Sequence, residues 1–208
     1  MLITGSTLTA FALTAALIEI TPGPNLAYLA VLGAVSGRRA GYAATAGIAL
    51  GLALLGLIAA AGLAGLIAAS PLAFATLRWC GVGYLLWLAW EGWKESSEEA
   101  PEVAPDSEAA HVYFTRGLLT NLLNPKAAVF YVSLLPTFID ASRPALGQSI
   151  ALSLVHVAIA TCVHASIVTL ASALQPVLTD PARIRRTRRA LALVLATIAV
   201  WFAVSTGR

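Results

Sequence analysis

Charged residues are scarce in this sequence. They make up 11% of the 208 residues, whereas a soluble domain contains about 25%. Residues 41–77 contain no charged side chain at all, and a transmembrane helix needs about 20 apolar residues. Because 59% of the chain is apolar, little material is left for a soluble domain. The composition therefore predicts an all-α integral membrane protein that has the lipid bilayer as its immediate partner.

Motifs of soluble enzymes and of disulfide-linked proteins are also absent. The two cysteines, Cys80 and Cys162, lie in apolar segments and form no CxxC motif, so no disulfide framework is expected. There is no GxSxG, Walker or HExxH motif. We therefore predict neither an enzyme nor a cofactor, and no nucleic-acid partner. Because the N-terminus lacks a basic stretch, the first apolar run is predicted to be a retained helix and not a cleaved signal peptide.

The first apolar run is interrupted near its middle by a short motif rich in proline and glycine. The motif consists of Thr21, Pro22, Gly23, Pro24 and Asn25. A proline removes a backbone donor and clashes with the carbonyl group one turn earlier. At membrane depth, backbone broken in this way is tolerated only where it is buried in protein or lines a polar cavity. The motif therefore predicts a broken helix whose break faces the interior of the protein.

A second break of the same kind lies about a hundred residues further on. It contains Asn121, Asn124, Pro125 and Lys126. Asn124 before Pro125 has the pattern of an N-cap followed by the first helical residue, and Thr21 before Pro22 has the same pattern. One such break is typical of an ordinary proline kink. Two breaks flanked by asparagine favour a shared functional site.

An acidic stretch divides the chain into two halves. Residues 94–114 are predicted to form a cytoplasmic linker between three-helix repeats at residues 1–93 and 115–208. Because three spans is an odd number, the second repeat begins on the opposite side of the membrane. We predict six transmembrane helices as two inverted repeats, with the first helix of each half broken at proline. The hydrophobic segments are residues 6–36, 41–69, 70–93, 115–139, 144–178 and 190–204.

Basic residues are concentrated in the loops on one side of this predicted topology. They are Arg38, Arg39, Lys94, Arg116 and the five arginines within residues 183–189. Basic loops face the cytoplasm, so both termini are predicted to lie in the periplasm. The arginines can also pair with anionic lipid headgroups.

The two breaks offer the chemistry that an amino acid needs. A helix N-terminus has unpaired N–H groups and a partial positive charge, so it attracts a carboxylate. Two such ends, together with three asparagine amides, can bind the carboxylate and the ammonium of a zwitterion at different points. The predicted substrate-binding residues are Thr21, Pro22, Gly23, Pro24, Asn25, Asn121, Asn124 and Pro125.

Two residues of opposite charge flank the breaks, Glu19 before the first and Lys126 after the second. A charge at the bilayer centre costs at least about 2.5–3.5 kcal/mol, so it faces the protein interior and needs a partner. We predict that Glu19 and Lys126 are coupling residues, and the sequence leaves open whether they pair with each other. A purely structural pair, or a lysine that extends to the cytoplasmic face, are the alternatives.

His156, Cys162 and His164 share the fifth segment, but a compact metal site is not expected there. The two histidines are about 12 Å apart along a helix axis. Cys162 and His164 are two residues apart and face opposite sides of the helix. A proton relay through one histidine, or packing within the bundle, remain as interpretations.

The two motifs together resemble those of the LysE/RhtB family of amino-acid exporters. The resemblance rests on residues 20–25, on the glycine-rich second segment and on residues 124–127, and it extends over essentially the whole chain. It implies secondary-active efflux of amino acids or close derivatives across the inner membrane of a bacterium. Our leading hypothesis is that protons are the coupling ion. Residue by residue it implies roles for Pro22, Gly23, Pro24, Asn25, Asn124, Pro125 and Lys126. Many members have an aspartate where this chain has Asn25, and Glu19 is a candidate replacement.

Two other functions are compatible with a helical membrane protein. A thiol–disulfide electron carrier would use Cys80 and Cys162 as a reactive pair. A metal-cation exporter would need several intramembrane carboxylates, because hard cations prefer oxygen ligands, and this chain offers Glu19. Gly47 and Gly51 have GxxxG spacing, which predicts a helix-packing face and permits a homo-oligomer. The sequence leaves the exported amino acid open.

Overall fold

A computed structural model describes residues 2–62, 70–95, 106–173 and 181–205. Every regular element in these ranges is helical, so the all-α prediction is confirmed for them. The α-helices are α1 (Gly5–Ile20), α2 (Pro24–Ala60), α3 (Pro71–Glu95), α4 (Asp106–Leu122), α5 (Pro125–Val129), α6 (Ala145–Ser172) and α7 (Pro181–Ser205). A short π-helix, Phe130–Leu134, and a 3-10 helix, Leu135–Phe138, follow directly after α5.

Several of these helices are apolar enough for a membrane. Within the described ranges, α2 and α6 are each long and apolar enough to cross one. The pair Ala110–Leu122 and Pro125–Phe138 is bent by 50° and makes a third if it is counted as one span. Helix α1 is apolar but shorter. The chain is therefore a helical membrane protein, and the six-span inverted repeat remains a prediction.

Helix α2 is a hairpin of two arms and not one straight rod. Gly37 has φ 81° and ψ −173°, a backbone conformation that glycine adopts readily and other residues avoid. Residues from both arms meet the same neighbour: Asn25 is hydrogen-bonded to Asn121, and Gly51 packs against it. A straight helix would separate residues 25 and 51 by about 39 Å. The arms therefore run antiparallel, as expected for a tight loop at Arg38.

Glycines bring the second arm of α2 into backbone contact with α4. A Cβ atom on Gly47 would overlap the carbonyl oxygen of Phe114, and one on Gly117 would overlap that of Ala44. Gly51 is similarly covered by Asn121. The prediction that the GxxxG spacing marks a packing face is confirmed, but the partner is α4 of the same chain. This face is therefore not available to hold a second copy.

Helix α1 packs one stripe of residues against the bundle. Phe11, Ala15 and Glu19 are buried at a spacing of four, while Leu13 and Leu17 on the other face are exposed. Residues four apart lie on the same face of a helix, so Glu19 is directed toward α6. The exposed leucines are suited to contact with lipid.

The predicted linker is partly helical. Helix α3 continues to Glu95, and α4 begins at Asp106, whereas the sequence interpretation placed the start of the fourth segment near Thr115. Residues 96–105 of the predicted linker lie outside the described part of the chain. Ala110 and His111 are exposed, so this first part of α4 projects from the packed bundle.

Candidate functional site

The first break separates α1 from α2 at Thr21, Pro22 and Gly23. Gly23 is the N-cap of α2 and has an extended backbone with no side-chain cap, and Pro24 is the first helical residue. The prediction that Thr21 caps this helix is therefore wrong. The Thr21 hydroxyl instead donates to the carbonyl oxygens of Leu17 and Ile18 at the end of α1. The first N–H groups of α2 are consequently left without a capping side chain.

The second break has the cap that the sequence predicted. The Asn124 side chain accepts a hydrogen bond of 3.0 Å from the backbone N–H of Lys126, and Pro125 is the first residue of α5. An N-cap asparagine satisfies one of the unpaired donors of the first helical turn. Asn124 and Pro125 are both buried, so the break faces the protein.

The two breaks are in direct contact, and each binds the other in the same way. Asn25, just after the first break, donates to Asn121 Oδ1 just before the second, at 2.9 Å. Lys126, just after the second break, donates to the carbonyl oxygen of Ile18 before the first break and to that of Thr21 at its start, at 2.6 and 2.8 Å. In both cases a residue after one break is bonded to the segment that precedes the other.

A small polar cavity lies between the breaks. It has a volume of about 10 Å³, which is room for about one water molecule. The N-terminal ends of α2 and α5 both contribute to it, as does the end of α1. It is lined by Glu19, Gly23, Asn25, Leu26, Asn124, Lys126 and Ala127.

The other predicted binding residues surround this cavity without lining it. Pro24 and Pro125 are buried directly behind it, and Asn121 reaches it through its bond to Asn25. Thr21 and Pro22 are exposed. These two therefore shape the break, and their side chains are not part of the cavity wall.

The bonded amides of Asn25 and Asn121 each leave one polar atom unused. Asn25 Oδ1 and Asn121 Nδ2 are buried and have no hydrogen-bond partner in the described part of the chain. Most buried polar groups in native proteins are paired, so an unpaired acceptor beside an unpaired donor needs an explanation. An acceptor suits an ammonium group and an N–H donor suits a carboxylate.

Glu19 is held between two histidines of α6. Its Oε1 lies 3.0 Å from His156 Nε2 and its Oε2 lies 3.2 Å from His164 Nε2. Both histidines are buried, at 0% and 1% exposure. No ion pair within 4 Å joins Glu19 to Lys126 among the described residues. The two predicted coupling residues therefore form no direct pair, although both side chains line the same cavity.

Sequence reasoning considered a proton relay through one histidine but did not connect either histidine with Glu19, because it measured only their separation along the helix axis. Side chains eight residues apart lie on similar faces of a helix, and one carboxylate with two oxygens can receive both rings. A signal was present: small or polar residues recur every three or four positions along the middle of α6, and the structure buries all of them. They are Ser149, Ser153, His156, Ala160 and His164.

In the group formed by Glu19, His156 and His164, one hydrogen bond joins Glu19 to His156, whereas His164 Nε2 lies close to the carboxylate without a hydrogen bond in the described part of the chain. His156 Nε2 faces the carboxylate, and its Nδ1 is buried without a partner in the described part of the chain. A neutral imidazole that donates through Nε2 keeps a free lone pair on Nδ1. The Phe130 ring stacks on His156 with centroids 3.8 Å apart, which limits rotation of the imidazole.

The same geometry does not indicate a metal centre. No group of three or more His, Cys, Asp or Glu residues in the described ranges has an arrangement that fits a metal ion. Cys80 on α3 and Cys162 on α6 are free and exposed. Neither residue lines the cavity between the breaks.

A helical membrane protein with two broken helices that meet at a buried polar cavity has the architecture of a transporter. The chain belongs to the LysE type translocator family, whose sequence profile matches residues 16–206. It is therefore a translocator and not an enzyme.

Curated relatives support this assignment. The chain is 27% identical to a homoserine/homoserine lactone efflux protein of Salmonella typhimurium, over 87% of this chain and 88% of the relative. It is 35% identical to a leucine efflux protein of Enterobacter sp. strain 638, over 64% of this chain and 63% of the relative. A leucine efflux protein of Klebsiella pneumoniae is 34% identical over 64% of this chain and 63% of the relative. No solved structure matches the chain.

Proposed function

We propose that this translocator exports neutral amino acids or their close derivatives from the bacterial cytoplasm, driven by protons that move inward. The contact between Asn25 and Asn121 carries the proposal, because it joins both helix breaks and leaves one buried donor and one buried acceptor. Homoserine and leucine, named in two relatives, are zwitterions with uncharged side chains. Such a substrate can satisfy both unpaired atoms.

The charges around the cavity favour a substrate without a second ammonium group. Glu19 is the only acidic residue in its lining, and both of its oxygens already face histidines. Lys126 adds a positive charge on the opposite wall. A dibasic amino acid would place its side-chain ammonium near this lysine without a free carboxylate to balance it.

The protein must open for a substrate to bind. A cavity that holds about one water is too small for an amino acid, so the structure corresponds to a closed arrangement. The proposed two inverted repeats would move against each other around the breaks, as in other transporters with broken helices. The bonds from Lys126 to the end of α1 and from Asn25 to Asn121 cross this boundary. They would break and re-form during the cycle.

The proton would be carried by the triad of Glu19, His156 and His164. A proton gained at the free His156 nitrogen places a cation beside the Glu19 carboxylate and strengthens their bond. A proton lost weakens it. Because Glu19 lies in the last turn of α1, two residues before the break, a change in this bond acts on the position of the break itself.

The proposed location is the inner membrane, with six spans and both termini in the periplasm. The basic loops that support this orientation include Arg38, near the Gly37 turn, and Arg185 and Arg186 on α7, both of which are exposed. No observation on the described residues calls for a homo-oligomer.

Transport into inside-out membrane vesicles tests the proposal. Vesicles with the wild-type protein should accumulate labelled leucine or homoserine when their interior is acidified, and should accumulate less when a protonophore removes the gradient. Lysine serves as the charged control and should accumulate at no more than about one tenth of the rate. Equal accumulation in vesicles that lack the protein would refute amino-acid export, and insensitivity to the protonophore would refute proton coupling alone.

A further inference from the structure

We infer that a second and larger cavity is the site at which the zwitterionic substrate first binds from the cytoplasm. This inference rests on the proposed function. The cavity lies between α2, α3, α4 and α7 and has a volume of about 90 Å³. This is room for about six water molecules, and therefore for a small amino acid. Its polar lining residues are Tyr28, Ser36, Glu91, Tyr113 and Arg116.

An arginine and a glutamate face each other in the wall of this cavity. Arg116 Nη2 lies 2.9 Å from Glu91 Oε1, and the two side chains are 23% and 29% exposed. A guanidinium has five N–H donors, so this bond leaves donors for another carboxylate. Glu91 Oε2 is buried and has no hydrogen-bond partner among the described residues. A zwitterion can therefore place its carboxylate on Arg116 and its ammonium on Glu91.

A buried tyrosine adds a third polar group. Tyr28 is 5% exposed, and its hydroxyl has no hydrogen-bond partner in the described ranges. Leaving a buried hydroxyl unpaired costs about 1–3 kcal/mol. A substrate carboxylate on Arg116 would satisfy it, because the hydroxyl can donate to the second carboxylate oxygen.

The remaining wall selects the side chain of the substrate. Its residues are apolar, and Glu91 is the only acidic residue among the described residues of the lining. Once Glu91 has bound the main-chain ammonium, no carboxylate remains for a basic side chain. The apolar lining residues are Val31, Leu32, Val35, Leu88, Ala192 and Leu195.

The position of the cavity suits the first step of export. Along α2, Tyr28 is one turn beyond Asn25, and Ser36 is next to the Gly37 turn. Along α4, Arg116 comes just over one turn before Asn121. The cavity therefore lies between the break cavity and the Gly37 turn, which the basic loop residues assign to the cytoplasmic side.

The conservative variant Tyr28→Phe provides the first test, since it removes one hydroxyl and no charge. We would measure the initial rate of leucine entry into inside-out vesicles against the leucine concentration outside, which is the cytoplasmic side. The KM should rise at least about fivefold while the maximal rate stays within about twofold. Tyr42→Phe is the matched control, because Tyr42 is exposed and outside the cavity, and it should leave the KM unchanged.

A charge exchange separates binding from a structural role of the ion pair. The double variant Glu91→Arg with Arg116→Glu keeps an ion pair but reverses its direction between the two helices. If the pair orients a zwitterion, the reversed pair should not bind leucine normally. The KM for leucine of the double variant should then be at least about tenfold above that of the wild type. Recovery of the wild-type KM would show that the pair only holds α3 to α4, and would overturn the inference.

Transport by wild-type vesicles distinguishes a failure of the proposed function from a failure of this inference. If wild-type vesicles carry neither leucine nor homoserine, both the proposed function and this inference fail. If they carry leucine and Tyr28→Phe keeps the wild-type KM, only this inference fails. Immunoblots of the vesicle membranes correct each rate for the amount of inserted protein, and Tyr28→Phe decides the matter if the charge exchange does not insert.

Discussion

The side-chain amide of Asn25 donates a hydrogen bond of 2.9 Å to the side-chain oxygen of Asn121, 96 residues further along the chain. Each residue lies beside a proline break in its own half of the sequence. The bond places the two breaks against each other and aligns the N-terminal ends of α2 and α5 on one cavity.

The first prediction concerns the amide pair itself. Asn25→Ala and Asn121→Ala should each lower leucine export at least about tenfold, because each removes one proposed substrate contact and leaves the other amide unpaired. The double variant should lose little more than either single variant, since residues in one hydrogen-bond network are not additive. The matched control is Gln148→Ala, a buried amide that binds the loop around Asp140, and its export per folded molecule should be unchanged. Fully additive losses would contradict a shared role.

The second prediction concerns the buried triad. Glu19→Gln and His156→Gln should each abolish proton-driven accumulation of leucine but retain exchange of labelled for unlabelled leucine, which needs no net proton movement. The double variant should resemble the single variants, because both change the same contact. Thr14→Val on α1, whose hydroxyl only bonds to Ala10 of its own helix, is the control. Full accumulation by Glu19→Gln would exclude the triad from coupling.

The third prediction concerns the two hydrogen bonds from Lys126 to the end of α1. Lys126→Met should lower the free energy of unfolding by about 1–3 kcal/mol, because it removes charge-assisted bonds to two carbonyl groups. Lys94→Met, at an exposed lysine on α3, is the comparison. Thermal unfolding of the purified proteins in detergent would measure both. An unchanged melting temperature for Lys126→Met would show that these hydrogen bonds of Lys126 contribute nothing to stability.

The fourth prediction uses two neighbouring glycines on α3. A Cβ atom on Gly81 would overlap the carbonyl oxygen of Leu123, just before the Asn124 cap, whereas one on Gly83 would meet nothing within 4 Å. Gly81→Ala should therefore destabilise the protein by about 1–3 kcal/mol and displace the second break. Gly83→Ala should be neutral or stabilising by up to about 1 kcal/mol. Equal melting temperatures for the two variants would contradict this close packing.

The fifth prediction concerns topology. A reporter enzyme that is active only in the periplasm should be active when fused after Arg208, and a reporter that is active only in the cytoplasm should be inactive there. The reason is the excess of basic residues in the loops assigned to the cytoplasm. A cytoplasmic result would reject the proposed six-span arrangement with both termini outside.

The features that depend on local chemistry were predictable from the sequence alone. A scarcity of charge over long apolar runs requires a helical membrane protein, because unpaired backbone groups are too costly in lipid. Proline breaks a helix wherever it occurs in its interior, so both breaks were predictable. The Asn124 cap was predictable too, because an N-cap bond joins residues that are two positions apart.

Which side chains meet depends on the folded chain. Sequence reasoning named Glu19 and Lys126 as coupling residues because both flank a break, but the fold places the carboxylate between His156 and His164 and directs the lysine to the end of α1. A buried charge needs a partner, and several residues of this chain can satisfy that need. Local chemistry cannot choose among them, because the choice depends on distances between helices that are set when α1 packs against α6.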